Sequence, residues 1–165
     1  FLGGVDFMSV YTEKNRKTKK LIQTSFMQII ENKSFEAITV GDITKVAQIN
    51  RGTFYLHYKD KFDLLDQIEQ QLFEDLGNHI DELQKYYSSM QKFEKNQEQL
   101  AATLFNSIKM HAPMLKIFLS DRGRAGFHLR FRDAFSEKVR VNLERNERFH
   151  ANLKVPMEYY ISFIT

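Results

Sequence analysis

Two prolines in 165 residues, both late in the chain at Pro113 and Pro156, leave the first two thirds of the sequence without an obligatory helix breaker. With only 7 glycines beside them, the chain cannot supply the turn every ten residues or so that an all-β domain of this length needs. The apolar residues instead recur at helical spacing, so the feature that most restricts the fold points to helices. The hydrophobic fraction of 42% and charged fraction of 27% are those of a globular protein and exclude a disordered tail. No cysteine is present, which rules out disulfides, thiolate metal sites and a cysteine nucleophile and fits the cytoplasm. No apolar run approaches the roughly 20 residues of a membrane span.

The net charge of +3 is unevenly distributed. Residues 1–65 carry ten Lys/Arg against seven Asp/Glu, whereas residues 66–165 carry fourteen of each. Five of the basic groups, Lys14, Arg16, Lys17, Lys19 and Lys20, lie within seven positions. Such a run either neutralises phosphate or solvates a helix end.

Leu21, Ile22, Phe26, Ile29 and Ile30 predict an amphipathic first helix from about Glu13 to Asn32, preceded by a tail or cloning remnant at residues 1–12 with Met8 as a natural start. Thr39 reads as an N-cap, with Asp42 closing a shortened capping box. A two-turn helix follows, with Ile43, Val46 and Ala47 expected inward. Gln48-Ile49-Asn50 forms a tight turn, and Asn50 caps a third short helix running to about His57. From Phe62 a stripe of Leu64, Leu65, Ile68, Leu72, Leu76, Ile80 and Leu83 predicts a long fourth helix. Tyr87–Gln99 reads as a loop, and Leu100, Leu104, Phe105 and Ile108 as a fifth helix closed by Pro113. Met114–Leu119 is a separate short apolar piece and Ser120–Gly126 a mobile loop. Phe127, Phe131, Phe135, Val139 and Leu143 mark a helix to about Arg145, and Met157–Ile164 begins another. The expected organisation is a head at 13–60 and a helical second domain at 61–165.

Two short helices separated by three residues have the dimensions of a helix-turn-helix. The run from Thr39-Val40 through Gly52-Thr53-Phe54-Tyr55 and Lys59-Asp60-Lys61 to Leu64-Leu65 resembles the DNA-binding head of TetR-family (TetR/AcrR-like) bacterial transcriptional regulators. The resemblance covers roughly residues 18–66. It implies an all-α protein: a three-helix helix-turn-helix head joined by the long fourth helix to an effector-binding and dimerisation domain. It departs from the family at Gly41, where relatives often carry a base-reading Arg or Lys, and at Gln48, which replaces a common turn glycine.

Helical geometry places Phe54 and Tyr58 toward the core and Gly52 and Leu56 on the opposite face, with Thr53 and Tyr55 on the flanks. The resemblance then assigns DNA contacts to Thr39, Asn50, Arg51, Gly52, Thr53, Tyr55, Leu56, His57, Lys59 and Lys61. Arg51 is expected at guanine O6/N7, Thr53 at a base or phosphate, and Leu56 at a thymine methyl. Tyr55, His57, Lys59 and Lys61 are expected at phosphates, and the Thr39 hydroxyl with the helix-two amides at a further one.

The implied partners are double-stranded DNA bearing a palindromic operator, a second copy of the chain, and a small apolar effector or a protein co-regulator. Phe105, Ile108, Phe118, Phe127, Phe131 and Phe135 are candidate effector-pocket residues, with His111 or His128 as the polar handle; an aromatic stripe at this spacing is also ordinary core. Arg122, Arg124, Arg130 and Arg132 read as a solvated basic loop or an anion or partner site. Dimerisation is expected through the last two helices, with Tyr160, Ile161 and Ile164 as candidates and the sequence ending inside the first of them. Five scattered histidines lack metal-ligand spacing, and Ser89-x-x-Lys92 has no companion motif. The chain is therefore expected to be neither an enzyme nor a carrier of a metal or cofactor. The alternative outside DNA binding is a helical protein-interaction adaptor.

Overall fold

The computed structural model describes residues 4–89 and 97–144, which are helical with no strand among them. The helices are α1 (Gly4–Ile30), α2 (Val40–Val46), α3 (Arg51–Tyr55), α4 (Lys61–Ser89), α5 (Gln97–Phe118) and α6 (Phe127–Glu144), with a 3-10 turn at Phe35–Ala37. Two compact units emerge: Phe1–Ile68 with Ser120–Arg124, and Glu69–Leu119 with Ala125–Thr165. The division falls inside α4, and the first unit takes in a short loop distant in sequence.

In the first unit every short element donates large apolar side chains to one core. Ile22, Phe26 and Ile30 of α1, Phe35 and Ile38 of the connector, Ile43 and Ala47 of α2, Phe54 and Tyr58 around α3, and Leu64 and Leu65 of α4 are all buried. Each such burial is worth about 1.5–3 kcal/mol, which is how a five-residue helix is held in place. Val46, expected inward, is instead 42% exposed, and Thr44 is buried with its hydroxyl donating to the Gly41 carbonyl at 3.2 Å. A seven-residue helix offers the core too narrow a face for Ile43, Val46 and Ala47 together.

The α2–α3 turn closes as a Schellman motif: Gln48 N–H donates to Lys45 O (3.3 Å) and Ile49 N–H to Thr44 O (3.0 Å). Gln48 accordingly has φ +52°, in the left-handed region, a conformation costly for a residue with a Cβ. The turn is intact with glutamine where glycine is the easier residue.

The mobile loop expected at 120–126 is in fact tied down over Ser120–Arg124. Phe35 N–H donates to Arg122 O at 2.9 Å, the Arg122 guanidinium donates to Glu31 O at the end of α1, and Arg124 pairs with Asp66 while lying 5.8 Å over the Phe62 ring. These two arginines are thus engaged with the chain itself. Arg132 pairs with its neighbour Asp133 at 2.8 Å.

The second unit is organised around aromatic rings. Phe73 of α4 contacts Phe127 (5.9 Å between centroids) and Phe131 (5.8 Å), and Phe127, Phe131 and Phe135 stack along α6. Glu69, 3% exposed, receives a bidentate pair from Arg130, both contacts at 2.8 Å. The fork satisfies both carboxylate oxygens, the condition under which a buried charge is tolerated.

Three helix boundaries differ from expectation. α1 begins at Gly4 because nothing between Val5 and Thr12 stops a helix; Val10 and Tyr11 there are more than half exposed, so the extension is solvated. α5 runs through Pro113 to Phe118 instead of ending at it. The proline removes one backbone donor, but Leu115, Ile117 and Phe118 are buried beyond it, and that burial carries the helix on. α4 extends to Ser89, into the stretch expected to be a loop.

Two outcomes follow. Gln48→Gly is expected to raise the unfolding free energy by about 1 kcal/mol in urea denaturation, since it relieves the left-handed φ; no gain would mean that the turn is not strained. The second concerns Asp42, whose carboxyl is held down to about 2, first by Lys33 and then by Thr39. A depressed folded value means stability that is full above the ordinary value of 3.8 and lost as pH falls toward about 2. The stability difference between wild type and Asp42→Asn should shrink over that interval, and a difference independent of pH would contradict it.

Candidate nucleic-acid interface

The residues that place α2 and α3 are their caps. Thr39 Oγ1 accepts from Asp42 N–H (3.1 Å) while Asp42 Oδ2 accepts from Thr39 N–H (2.9 Å), a complete capping box. The same Asp42 oxygen accepts from the Thr39 hydroxyl (2.8 Å) and from Lys33 Nζ (2.7 Å). The α2 N-terminus therefore already holds an anion of its own, and Thr39 acts as a cap rather than as an open phosphate cradle. Asn50 Oδ1 accepts from Thr53 N–H (2.7 Å) and from the Thr53 hydroxyl (3.0 Å), so it too serves as a cap. Gly52 leaves room for this arrangement, since a Cβ there would stand 3.2 Å from Asn50 Oδ1.

With α3 capped at one end, its inner face is locked by Phe54 (0% exposed) and Tyr58 (1%), their rings 5.7 Å apart. The opposite face is open: Leu56 is 83% and Tyr55 55% exposed, and Arg51 and Gly52 are exposed beside them. Thr53 is half-buried on the flank. Exposed Leu56 and Arg51 on one short element suit contact with a surface carrying both methyl groups and acceptors.

Arg51 has no carboxylate partner among the described residues. Its Nη2 lies against α2, where a Cβ added to Gly41 would meet it at 3.1 Å. His57 is half-buried and its pKa is lowered, first by burial and then by the charge of Lys19, which keeps it neutral near pH 7. Lys19 lies 5.8 Å over the Tyr58 ring. This α1 residue was visible in the sequence only as one of a basic run; the fold brings it to the end of α3. Elsewhere in that run Arg16 and Lys17 pair with Glu13 at 2.9 and 3.6 Å. Lys59 is exposed, its backbone N–H donating to Asp63 Oδ2 at 2.8 Å.

Lys61 does not sit as the resemblance implied. Its ammonium donates to Phe35 O (3.0 Å), Glu36 O (2.8 Å) and Ile38 O (2.8 Å), and it lies 4.8 Å over the Phe35 ring. All three of its donors are spent on the connector before α2, which leaves none for a phosphate. Of the ten residues expected at DNA, Arg51, Gly52, Thr53, Tyr55, Leu56, His57 and Lys59 cluster on and around the open side of α3. Thr39, Asn50 and Lys61 hold that side in shape.

The candidate effector-pocket residues differ in exposure and contacts. Phe105 (70%) and Ile108 (49%) are exposed, Phe118 and Phe127 are buried ring to ring at 5.2 Å, Phe131 is stacked on Phe127, and His111 Nε2 stands 3.7 Å from Asp75 of α4. Tyr160, Ile161 and Ile164 lie outside the described residues.

Comparison with known proteins places this geometry. Residues 27–68 match the family described as bacterial regulatory proteins, tetR family. A helix-turn-helix-type transcriptional regulator of Bacillus subtilis, YxbF, itself uncharacterised, is 24% identical over 132 residues, 77% of this chain and 33% of that protein. The dhaKLM operon transcriptional activator DhaS of Lactococcus lactis is 26% identical over 138 residues, 84% of this chain and 68% of that protein. The chain thus spans a third of the first relative's length and about two thirds of the second's. Among solved structures, a TetR-family regulator from Syntrophomonas wolfei superposes with a TM-score of 0.69 at 17% identity, covering 90% of this chain and 78% of that one. A second, from Streptococcus agalactiae, gives a TM-score of 0.58 at 22% identity, covering 94% and 80%. The capped pair α2–α3, the family match across it and the shared all-helical fold agree: residues 27–68 are similar to the helix-turn-helix head of bacterial regulatory proteins of the tetR family, and the chain has the fold of TetR-family structures.

Proposed function

We propose that the protein is a sequence-specific regulator that places α3 in the major groove of a palindromic operator, two copies together, and represses by occupying it until an effector lowers its affinity. The observation that carries this is the open side of α3, where a free guanidinium, an exposed leucine and a tyrosine stand on a helix whose other side is anchored in the core. A homodimer presents two such helices about 34 Å apart, one turn of DNA. Arg51 reads guanine, Leu56 meets a thymine methyl, and Tyr55, His57, Lys59 and Lys19 contact phosphates. The protein then works in the bacterial cytoplasm, on the nucleoid; no helix among the described residues is long and apolar enough to cross a membrane.

A second reading concerns the signal. Phe105 and Ile108 face outward from α5, and the Lactococcus lactis relative is named an activator. Both favour a partner-dependent co-regulator that answers to another protein rather than to a small apolar molecule.

The test is binding of the full chain to duplex DNA from upstream of its own gene, followed by fluorescence anisotropy over a salt series. Log K should fall by about 0.9 per log salt for each phosphate neutralised, and a flat response with no preference for that DNA contradicts the reading. Lys59→Ala should lower the slope by about one. Lys61→Met should leave the slope unchanged and cost about 2–3 kcal/mol of folding stability, because it orphans carbonyls instead of a phosphate. Arg51→Ala should cost about 1–3 kcal/mol on the preferred sequence and little on unrelated DNA.

A further inference from the structure

Arg51 and Gly41 belong to different helices, yet the Arg51 guanidinium lies where a side chain at position 41 would begin. A Cβ on Gly41 would lie 3.1 Å from Arg51 Nη2 and 3.5 Å from Thr39 Oγ1. Gly41 is in the first turn of α2, and Arg51 is the first residue of α3, directly after its Asn50 cap. The guanidinium therefore rests in a notch formed by the α2 backbone on one side and the start of α3 on the other. No carboxylate among the described residues pairs with it there, and the absence of a side chain at 41 leaves it the room.

We propose that Gly41 is a specificity-determining residue: by having no side chain it gives the Arg51 guanidinium its place in the α2–α3 notch, and so fixes which base pair that arginine reads. This rests on the DNA-reading function proposed above. A guanidinium presents its bidentate fork to guanine O6 and N7 only from a defined direction, so displacing its Nη2 by a few tenths of an ångström changes the match. The neighbour that must yield to a new Cβ is the end of a flexible side chain and not backbone. A substitution at 41 consequently disturbs the reading group and spares the fold. Alanine is also the better helix former, so the head should be as stable as before or more so.

The experiment is selection of bound sequences from randomised duplex DNA by the full-length wild type, Gly41→Ala, Gly41→Leu, Arg51→Ala and the double variant Gly41→Leu/Arg51→Ala, with thermal unfolding of each. The wild type should enrich a guanine at one position per half-site. Gly41→Ala should weaken that preference with an undiminished Tm. Gly41→Leu should reduce it about tenfold or more, the discrimination a single bidentate arginine–guanine pair supplies. The double variant should select as Arg51→Ala does, because both changes remove the same contact. If the wild type enriches a sequence and the Gly41 variants enrich the same one with equal strength, this inference falls while the DNA-reading function stands. If the wild type enriches no sequence at all, both fall.

Discussion

The ammonium of Lys61 is the point from which the head is built. It is the first residue of α4, and its three hydrogen bonds reach the carbonyls of Phe35, Glu36 and Ile38, more than twenty positions earlier in the chain. Charge-assisted bonds of this kind are stronger than neutral ones, and a 3-10 turn leaves carbonyls that need partners. The cation also lies over the rings of Phe35 and Phe62, at 4.8 and 5.4 Å. One side chain thus ties the start of α4 to the connector that ends in Thr39, the cap of α2. The Arg122–Arg124 loop reinforces the same place: it bonds to Phe35 N–H and Glu31 O and pairs with Asp66. The connector thus helps to position α2, together with the Lys33–Asp42 pair and the burial of Ile43 in the core.

The division of labour in the helix-turn-helix follows from where polar groups are spent. Thr39, Asp42 and Asn50 use their side chains on local backbone, which fixes two helices too short to persist alone. Arg51, Tyr55, Leu56 and Lys59 remain on the outside. A helix of five residues offers few positions for reading, so the exposed ones carry more weight each.

Much of this was legible in the sequence because it is local. The capping box at Thr39 and Asp42, the Asn50 cap, the inward Phe54 and Tyr58 and the outward Leu56 all follow from spacing within a turn or two. The features that were not legible are long-range or depend on competition between burial and local preference. Lys61 looked like a phosphate ligand because no local rule tells an ammonium to find carbonyls 23–26 residues away. Pro113 looked like a helix end because the burial of Leu115, Ile117 and Phe118 that overrides it is a tertiary matter. The polar, glycine-containing 120–126 stretch looked mobile for the same reason. Gln48 lies between the two cases: the turn was expected, and its left-handed backbone shows what the absent glycine costs.

The central claim is that the open side of α3, with the adjoining start of α2, is the surface that meets DNA. Amide NMR shifts of the full chain on adding a duplex containing its selected sequence measure this most directly. The account predicts that the largest changes fall on Gly41, Arg51–His57 and Lys59, with the amides of α5 and α6 shifted far less. Changes centred on the exposed Phe105–Ile108 face of α5, with Arg51–His57 unmoved, would contradict it.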